Sequence, residues 1–167
     1  MRAGLGDALH GSSYMTSPAT VSALLALTSP HSAAVALGIP AATKAAGAGR
    51  SSDVLQLLLA ARGDSAAIVT ANLATALASA CGNSFSGNVP LLLAQEGERG
   101  TAVTTGLPEA VKTAAQSGHE DALRMLLALK GEQATAVTAG LAAATKAAGW
   151  GGTRTSSPCW RPWMGSR

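Results

Sequence analysis

Apolar residues along this chain recur with a short spacing nested inside a long one. The short one is helical. Leu107, Ala110, Val111 and Ala114 stand at i, i+3, i+4 and i+7, which places four side chains on one face of an α-helix. Leu73, Ala76, Leu77 and Ala80 carry the same spacing, as do Leu141, Ala144, Thr145 and Ala148, and Ile39, Ala42 and Ala46 open another copy. A second stripe follows after a turn: Ala122, Met125, Leu126 and Leu129 beyond Ser117-Gly118, and Asp53, Val54, Leu57, Leu58 and Ala61 beyond Gly49. The unit predicted is helix, turn, helix, with Gly131 closing the second helix at a left-handed position.

The long spacing is 34 residues. A Gly-acid pair recurs at Gly63-Asp64, Gly97-Glu98 and Gly131-Glu132, and a Val-Thr pair at Val69-Thr70, Val103-Thr104 and Val137-Thr138, each 34 residues from the last. A fixed period of this size marks stacked supersecondary units that cannot bury an apolar face alone. The fold class expected is all-α, an α-solenoid of helix-turn-helix repeats over residues 19–150. Residues 1–18 read as an irregular lead-in and 151–167 as a disordered Trp/Pro/Arg tail. Thr20 to Leu27 reads as the second helix of a truncated first unit. One copy is irregular: Gly82 to Asn88 is long for a turn, and Pro90 fits only if Asn88 caps a shortened helix and Pro90 lies in its first turn.

Composition sharpens this picture. Hydrophobic residues make up 47% of the chain but aromatic ones only 3%, so the stripes are Ala-rich and bury little area each, at ~25 cal/mol per Å². Stability must come from stacking along the array or from a partner. The net charge of +3 lies in the tail, because Arg154, Arg161 and Arg167 follow a body in which nine cationic residues balance nine acidic ones. A basic isoelectric point therefore says little about nucleic acid. The tail also holds Trp160 and Trp163, which offer an aromatic-basic ligand peptide as the alternative to simple disorder. Uncharged tracts such as Ser65 to Gln95 are too rich in Ala, Ser and Thr to cross a membrane. The first 43 residues contain one acid, Asp7, and one base, Arg2. Their Ser and Ala content suits a transit peptide, whereas the scarcity of Arg does not.

Catalytic chemistry finds no support. Cys81 and Cys159 lack a CxxC spacing and His10, His31 and His119 fall in different units, so no metal ligand set is expected. Cys81 belongs to an apolar stripe and reads as core. His119 reads as a solvated helix-start residue, and Glu120 and Asp121 complement a helix dipole. Gly47-Ala48-Gly49-Arg50 lacks the ending of a phosphate loop and reads as a turn. Neither a cofactor nor a small-molecule substrate is implied. Lys44, Lys112 and Lys146 share one position of the first helix, off the apolar stripe. They are either solvated lysines or a ladder of phosphate contacts.

The order of features resembles the pentatricopeptide repeat family over about residues 20–150. The resemblance rests on Gly63 to Val69-Thr70-Ala71-Asn72, on Lys146-Ala147-Ala148-Gly149, on Gly49-Arg50 and Gly118-His119, and on Ala122-Leu123-Arg124-Met125. It implies a degenerate member that binds single-stranded RNA. A residue two after Val-Thr, with one shortly before the next Val-Thr, would read each base: Asn72 with Thr101, Gly106 with Thr135, then an unpaired Gly140. It also implies a chloroplast or mitochondrial location, the cytoplasm being the alternative. A competing resemblance, through Ala114 to His119 followed by Leu126-Leu127 and Gly131, is to ankyrin repeats, and implies a protein-protein interaction scaffold. The Thr-Pro-Leu-His start of that family is absent.

Because Gly82 to Pro90 interrupts the best-packed pattern, amide hydrogen exchange is expected to be fastest there among residues 37–149; uniform protection across that stretch would show that the break is not a weak point.

Overall fold

A computed structural model of the chain describes residues 7–11, 17–26, 32–49, 52–83 and 87–150, with side chains of the last helix as far as 145. Every regular element among the described residues is helical, so the chain is all-α. In order these are α1 (7–11), α2 (Pro18–Leu25), α3 (Ser32–Ala48), α4 (Ser52–Leu59), α5 (Asp64–Ala71), α6 (Leu73–Cys81), α7 (Asn88–Leu93), α8 (Gly97–Ser117), α9 (Glu120–Leu127) and α10 (Glu132–Trp150). Residues 151–167, and with them Cys159 and the tail tryptophans, lie outside the described residues.

Long and short helices alternate. α3 packs on α5 and α6, α6 on α8, and α8 on α10, while the short helices α2, α4, α7 and α9 touch one another in the same order. The expected stripes form the core: Leu73, Ala76, Leu77, Ala80, Leu107, Ala110, Val111 and Ala114 are fully buried. So is Cys81. Wholly burying each leucine is worth ~1.5–3 kcal/mol.

Small residues set the spacing between the long helices. A Cβ on Gly106 would fall 2.6 Å from the Ala74 Cα, and one on Gly140 would fall 2.7 Å from the Pro108 Cα. Each pair is one glycine against the residue 32 positions earlier, so α8 crosses α6 much as α10 crosses α8. Pro40 and Pro108 lie inside α3 and α8 without breaking them. The intervening long helix does break, at Asn72. There the backbone N–H bonds the Val69 carbonyl at 3.0 Å, and the Asn72 side-chain amide donates to the Ile68 carbonyl at 2.8 Å, replacing a missing helical bond.

The Val-Thr pairs lie inside helices, because α5, α8 and α10 begin near Gly63, Gly97 and Gly131. Several expectations need correction. Those glycines have φ of 60°, 60° and 64° and start the following helix; Gly131 does not close the preceding one. Gly118 is the left-handed terminator, at φ 73° and ψ 23°, with His119 N–H bonded to the Ala114 carbonyl at 3.0 Å and Gly118 N–H to that of Ala115 at 3.3 Å, the paired bonds of a Schellman end. Pro90 does lie in the first turn of α7, but Gly87 is the cap residue. Asn88 is instead buried and turned toward α3. Within the supposed irregular lead-in, α1 contributes Leu9, which is fully buried. In α4 the buried residues are Val54, Leu55, Leu58 and Leu59, one step from the stripe read through Leu57 and Ala61.

Gly106→Val should destabilise the chain by ~1–3 kcal/mol through overpacking, lowering the thermal midpoint by ~2–4 °C per kcal/mol. Gly87→Ala, where a Cβ meets nothing within 4 Å, should leave it unchanged or slightly raised. Equal midpoints for the two variants would refute the close approach.

Candidate interaction surface

Each long helix buries one side against its neighbours and leaves a strip exposed. Positions 34 residues apart along the sequence share this exposure on α3, α5–α6, α8 and α10. One row is Ala33, Ala67, Thr101 and Thr135; the next is Leu37, Ala71, Thr105 and Ala139; the third is Ala41, Thr75, Glu109 and Ala143. All twelve are exposed. Leu37 is 75% exposed and is one of two exposed large hydrophobic residues among those described. Glu109 is the only charged member, and it pairs with Lys112 at 3.1 Å.

The surface is polar in a particular way. Thr101, Thr104 and Thr105 donate their hydroxyls to the carbonyls of Gly97 at 3.2 Å, Gly100 at 2.9 Å and Thr101 at 3.0 Å. With the donors turned onto their own helix, the threonines act outward mainly through methyl groups and acceptor lone pairs. Between the first halves of α8 and α10 an open groove of about 670 Å³ is lined by Thr101, Thr104, Thr105, Pro108, Thr135 and Ala139, with Glu96 and Glu132 also contributing. No lysine or arginine lines it.

Charged residues also lie toward both ends of the long helices, where exposed Arg62 and Lys130 precede Gly63 and Gly131. Asp64, Glu98 and Glu132 lie exposed in the first turns of α5, α8 and α10, where acids complement the helix dipole. Toward the other end are exposed Lys44 and half-exposed Lys112; Lys146 shares that position in α10, its side chain outside those described.

The residues assigned to base reading divide sharply. Thr101 and Thr135 are exposed and share the groove. Gly106 and Gly140 are buried at the helix crossings, and Asn72 is half-buried with its amide committed to Ile68. Lys112 is held by Glu109, so the proposed phosphate ladder has one free described member, Lys44.

Three structural side chains escaped the sequence reading. The Asn88 amide donates to the carbonyls of Ala46 and Gly49, both at 2.9 Å, capping the end of α3. Arg99 donates to the Leu59 carbonyl at 2.6 Å, at the last residue of α4. His119, expected to be solvated, is half-buried, with Nε2 3.1 Å from the Gly82 carbonyl after α6, so its Nε2 carries the hydrogen. These contacts join residues about 40 apart, and nothing local in the sequence announces them.

Among the described residues no three His, Cys, Asp or Glu side chains group as metal ligands, and no helix is long and apolar enough to cross a membrane. No protein-family model matches the chain, and neither a curated protein nor a solved structure matches it.

Burial pushes the Cys81 thiol from its ordinary 9.0 up to about 12, which withholds the thiolate that reacts. In a Cys159→Ser background, native protein should resist Ellman's reagent at neutral pH and react fully in urea. A raised native value means that the neutral thiol's contribution to stability is complete below pH 9.0 and is lost as pH rises toward about 12,. The urea midpoint should fall over that range in wild type and less in Cys81→Ala. Fast native labelling would contradict the buried site.

Proposed function

We propose that the chain is an α-solenoid of helix-turn-helix units with a 34-residue period, and that it is a non-catalytic scaffold for protein-protein interaction. The period is supported by the recurrence of positive-φ glycines at 63, 97 and 131 and by the matching glycine contacts at 106 and 140. The observation that carries the function is the exposed surface of Ala and Thr, uncharged apart from the paired Glu109, between an acidic edge and a lysine edge. An uncharged strip of this kind costs little to desolvate, and its small side chains lose almost no rotamer entropy on contact.

The partner that fits is an amphipathic helix. Glu98 and Lys112, one on each edge, are fourteen residues apart on α8, a rise of ~21 Å. A partner helix ~10–12 Å across lying over the long helices would fill the strip with its apolar stripe. Basic side chains on one flank would meet Asp64, Glu98 and Glu132, and acidic ones on the other would meet the lysines.

Single-stranded RNA is the less well supported ligand. Two of the three residues that stand two after a Val-Thr pair are buried glycines, and a strand of phosphates would pass the exposed acids Asp64, Glu98 and Glu132.

Selection from a display library of randomised helical peptides should enrich sequences with an apolar stripe flanked by opposite charges. Ala71→Arg and Thr105→Arg should each weaken the selected peptide at least about tenfold, or ~1.4 kcal/mol, with the thermal midpoint unchanged. If the chain instead binds oligouridylate or oligoadenylate in a salt-dependent way, the protein-scaffold reading fails. Loss of that binding on replacing Lys44, Lys112 and Lys146 together, with Asn72→Ala altering base preference, would establish the RNA reading in its place.

A further inference from the structure

The groove between the first halves of α8 and α10 is walled by two helices that the chain itself supplies, and every residue lining it is described. Its side chains lean toward accepting hydrogen bonds. Thr101, Thr104 and Thr105 commit their hydroxyl hydrogens to carbonyls of α8 and turn lone pairs and methyl groups outward. Glu96 and Glu132 add two exposed carboxylates. Glu96 is the cap residue of α8 yet makes no side-chain cap bond, and neither acid forms an ion pair among the described residues. The positive ends of the two helix dipoles, about half a charge each, offset only part of this negative charge.

The interval one period earlier, between α5 and α8, shows what this one lacks. Arg62 stands there at the position of Glu96, Arg99 at that of Gln133, and Glu98 at that of Glu132. The Arg99 guanidinium donates to the Leu59 carbonyl at the end of α4, at 2.6 Å. The corresponding carbonyl, that of Leu93 at the end of α7, receives no side-chain donor among the described residues. At equivalent positions, therefore, one interval has two arginines beside one glutamate, and the next has two glutamates and no cation. A guanidinium that the chain provides at the first is missing at the second.

We propose that this groove is the anchor site for one arginine of the helical partner, an inference that rests on the scaffold reading and names the side chain by which the partner is held. Arginine is planar, permanently charged and a donor only, with five N–H groups that two carboxylates on different helices can share. Lysine brings a point charge without that fork. Gly100 and Ala136 each stand four residues after one of the acids, on the same face of its helix,, and both line the groove. These small residues leave room for the arginine stem, which packs along them while its head meets Glu96 and Glu132. Further along, Pro108 and Ala139 continue the groove and receive the apolar stripe of the same partner helix. The arginine thereby fixes the register and direction of a helix that an Ala/Thr surface alone would let slide.

A double-mutant cycle with a helical peptide selected on the full chain tests this. Changing the peptide's arginine to Gln, or Glu96→Gln with Glu132→Gln in the protein, should each weaken binding about fivefold, and the two changes together little more than either alone. Arginine to lysine in the peptide should cost about twofold to threefold. Asp121→Asn on α9, which removes an exposed acid outside the groove, should leave the affinity unchanged. Additive losses, an unaltered affinity in the doubly substituted protein with its helicity intact, or selected peptides that lack arginine overturn the inference and leave the scaffold reading in place. If no peptide is enriched, the scaffold reading fails by itself and acetyl-arginine amide decides the groove. A saturable shift of the Thr101 and Thr105 methyl signals in NMR spectra, absent with acetyl-glutamine amide and absent in the doubly substituted protein, supports a guanidinium site; no such shift overturns it.

Discussion

The close approach of α6 to α8 and of α8 to α10 is the constraint on which the rest depends. With so few aromatic side chains, the chain cannot gain enough from individual large residues, so its core is assembled from many short-range contacts between alanines, valines and leucines. Those contacts exist only if the long helices lie near one another, and dispersion falls off steeply with even a small gap. Gly106 and Gly140 permit the distance, since a Cβ at either would meet backbone or Cβ atoms of the neighbouring helix. Spending the glycines there has a functional cost: the positions that a base-reading array would use for recognition are consumed by packing.

Stacking helices side by side creates a second requirement. Each helix terminus leaves backbone carbonyls without intrahelical donors, and where a neighbouring unit covers that terminus water cannot satisfy them. Asn88, Arg99 and His119 supply donors to the ends of α3, α4 and α6 from elements about 40 residues later. The three side chains differ in type although the problem is the same, which explains why no repeated residue marks the device. They also tie each unit to its successor through directional bonds. Ala-rich faces alone would specify that register weakly, because they slide easily.

What was legible in the sequence follows from this division. Helical stripes with true i, i+3, i+4 spacing, such as Leu73 to Ala80 and Leu107 to Ala114, were readable because burial acts on each residue separately, and all eight of those residues are buried. The run Leu57-Leu58-Leu59 carries no phase, so the pattern alone leaves α4 one step from its buried face of Val54, Leu55, Leu58 and Leu59. Glycines before Asp64, Glu98 and Glu132 signal punctuation without saying which side the helix lies on, so Gly131 reads as an end although it is a beginning. Of the candidate site, Thr101, Thr135 and Lys44 were placed on accessible surface. Gly106 and Gly140 are not, because their environment is set by a helix more than 30 residues away, and Asn72 is not, because its amide turns back onto the Ile68 carbonyl.

The exposed strip is where these physical arguments meet function. A solvent-facing surface with no task ordinarily carries charged side chains, since they favour solubility and discourage association. Here charge appears in the first turns of α5, α8 and α10 and at the lysine positions, and the twelve strip positions between them hold eleven uncharged residues. Helix formation alone does not require this: Glu, Lys and Gln are about as good as Leu in exposed helical positions, and Thr is worse. The threonines at 75, 101, 105 and 135 thus sacrifice some helix propensity without contributing to the core. Their contribution lies in the shape and low desolvation cost of the surface, the two properties on which the proposed scaffold role rests.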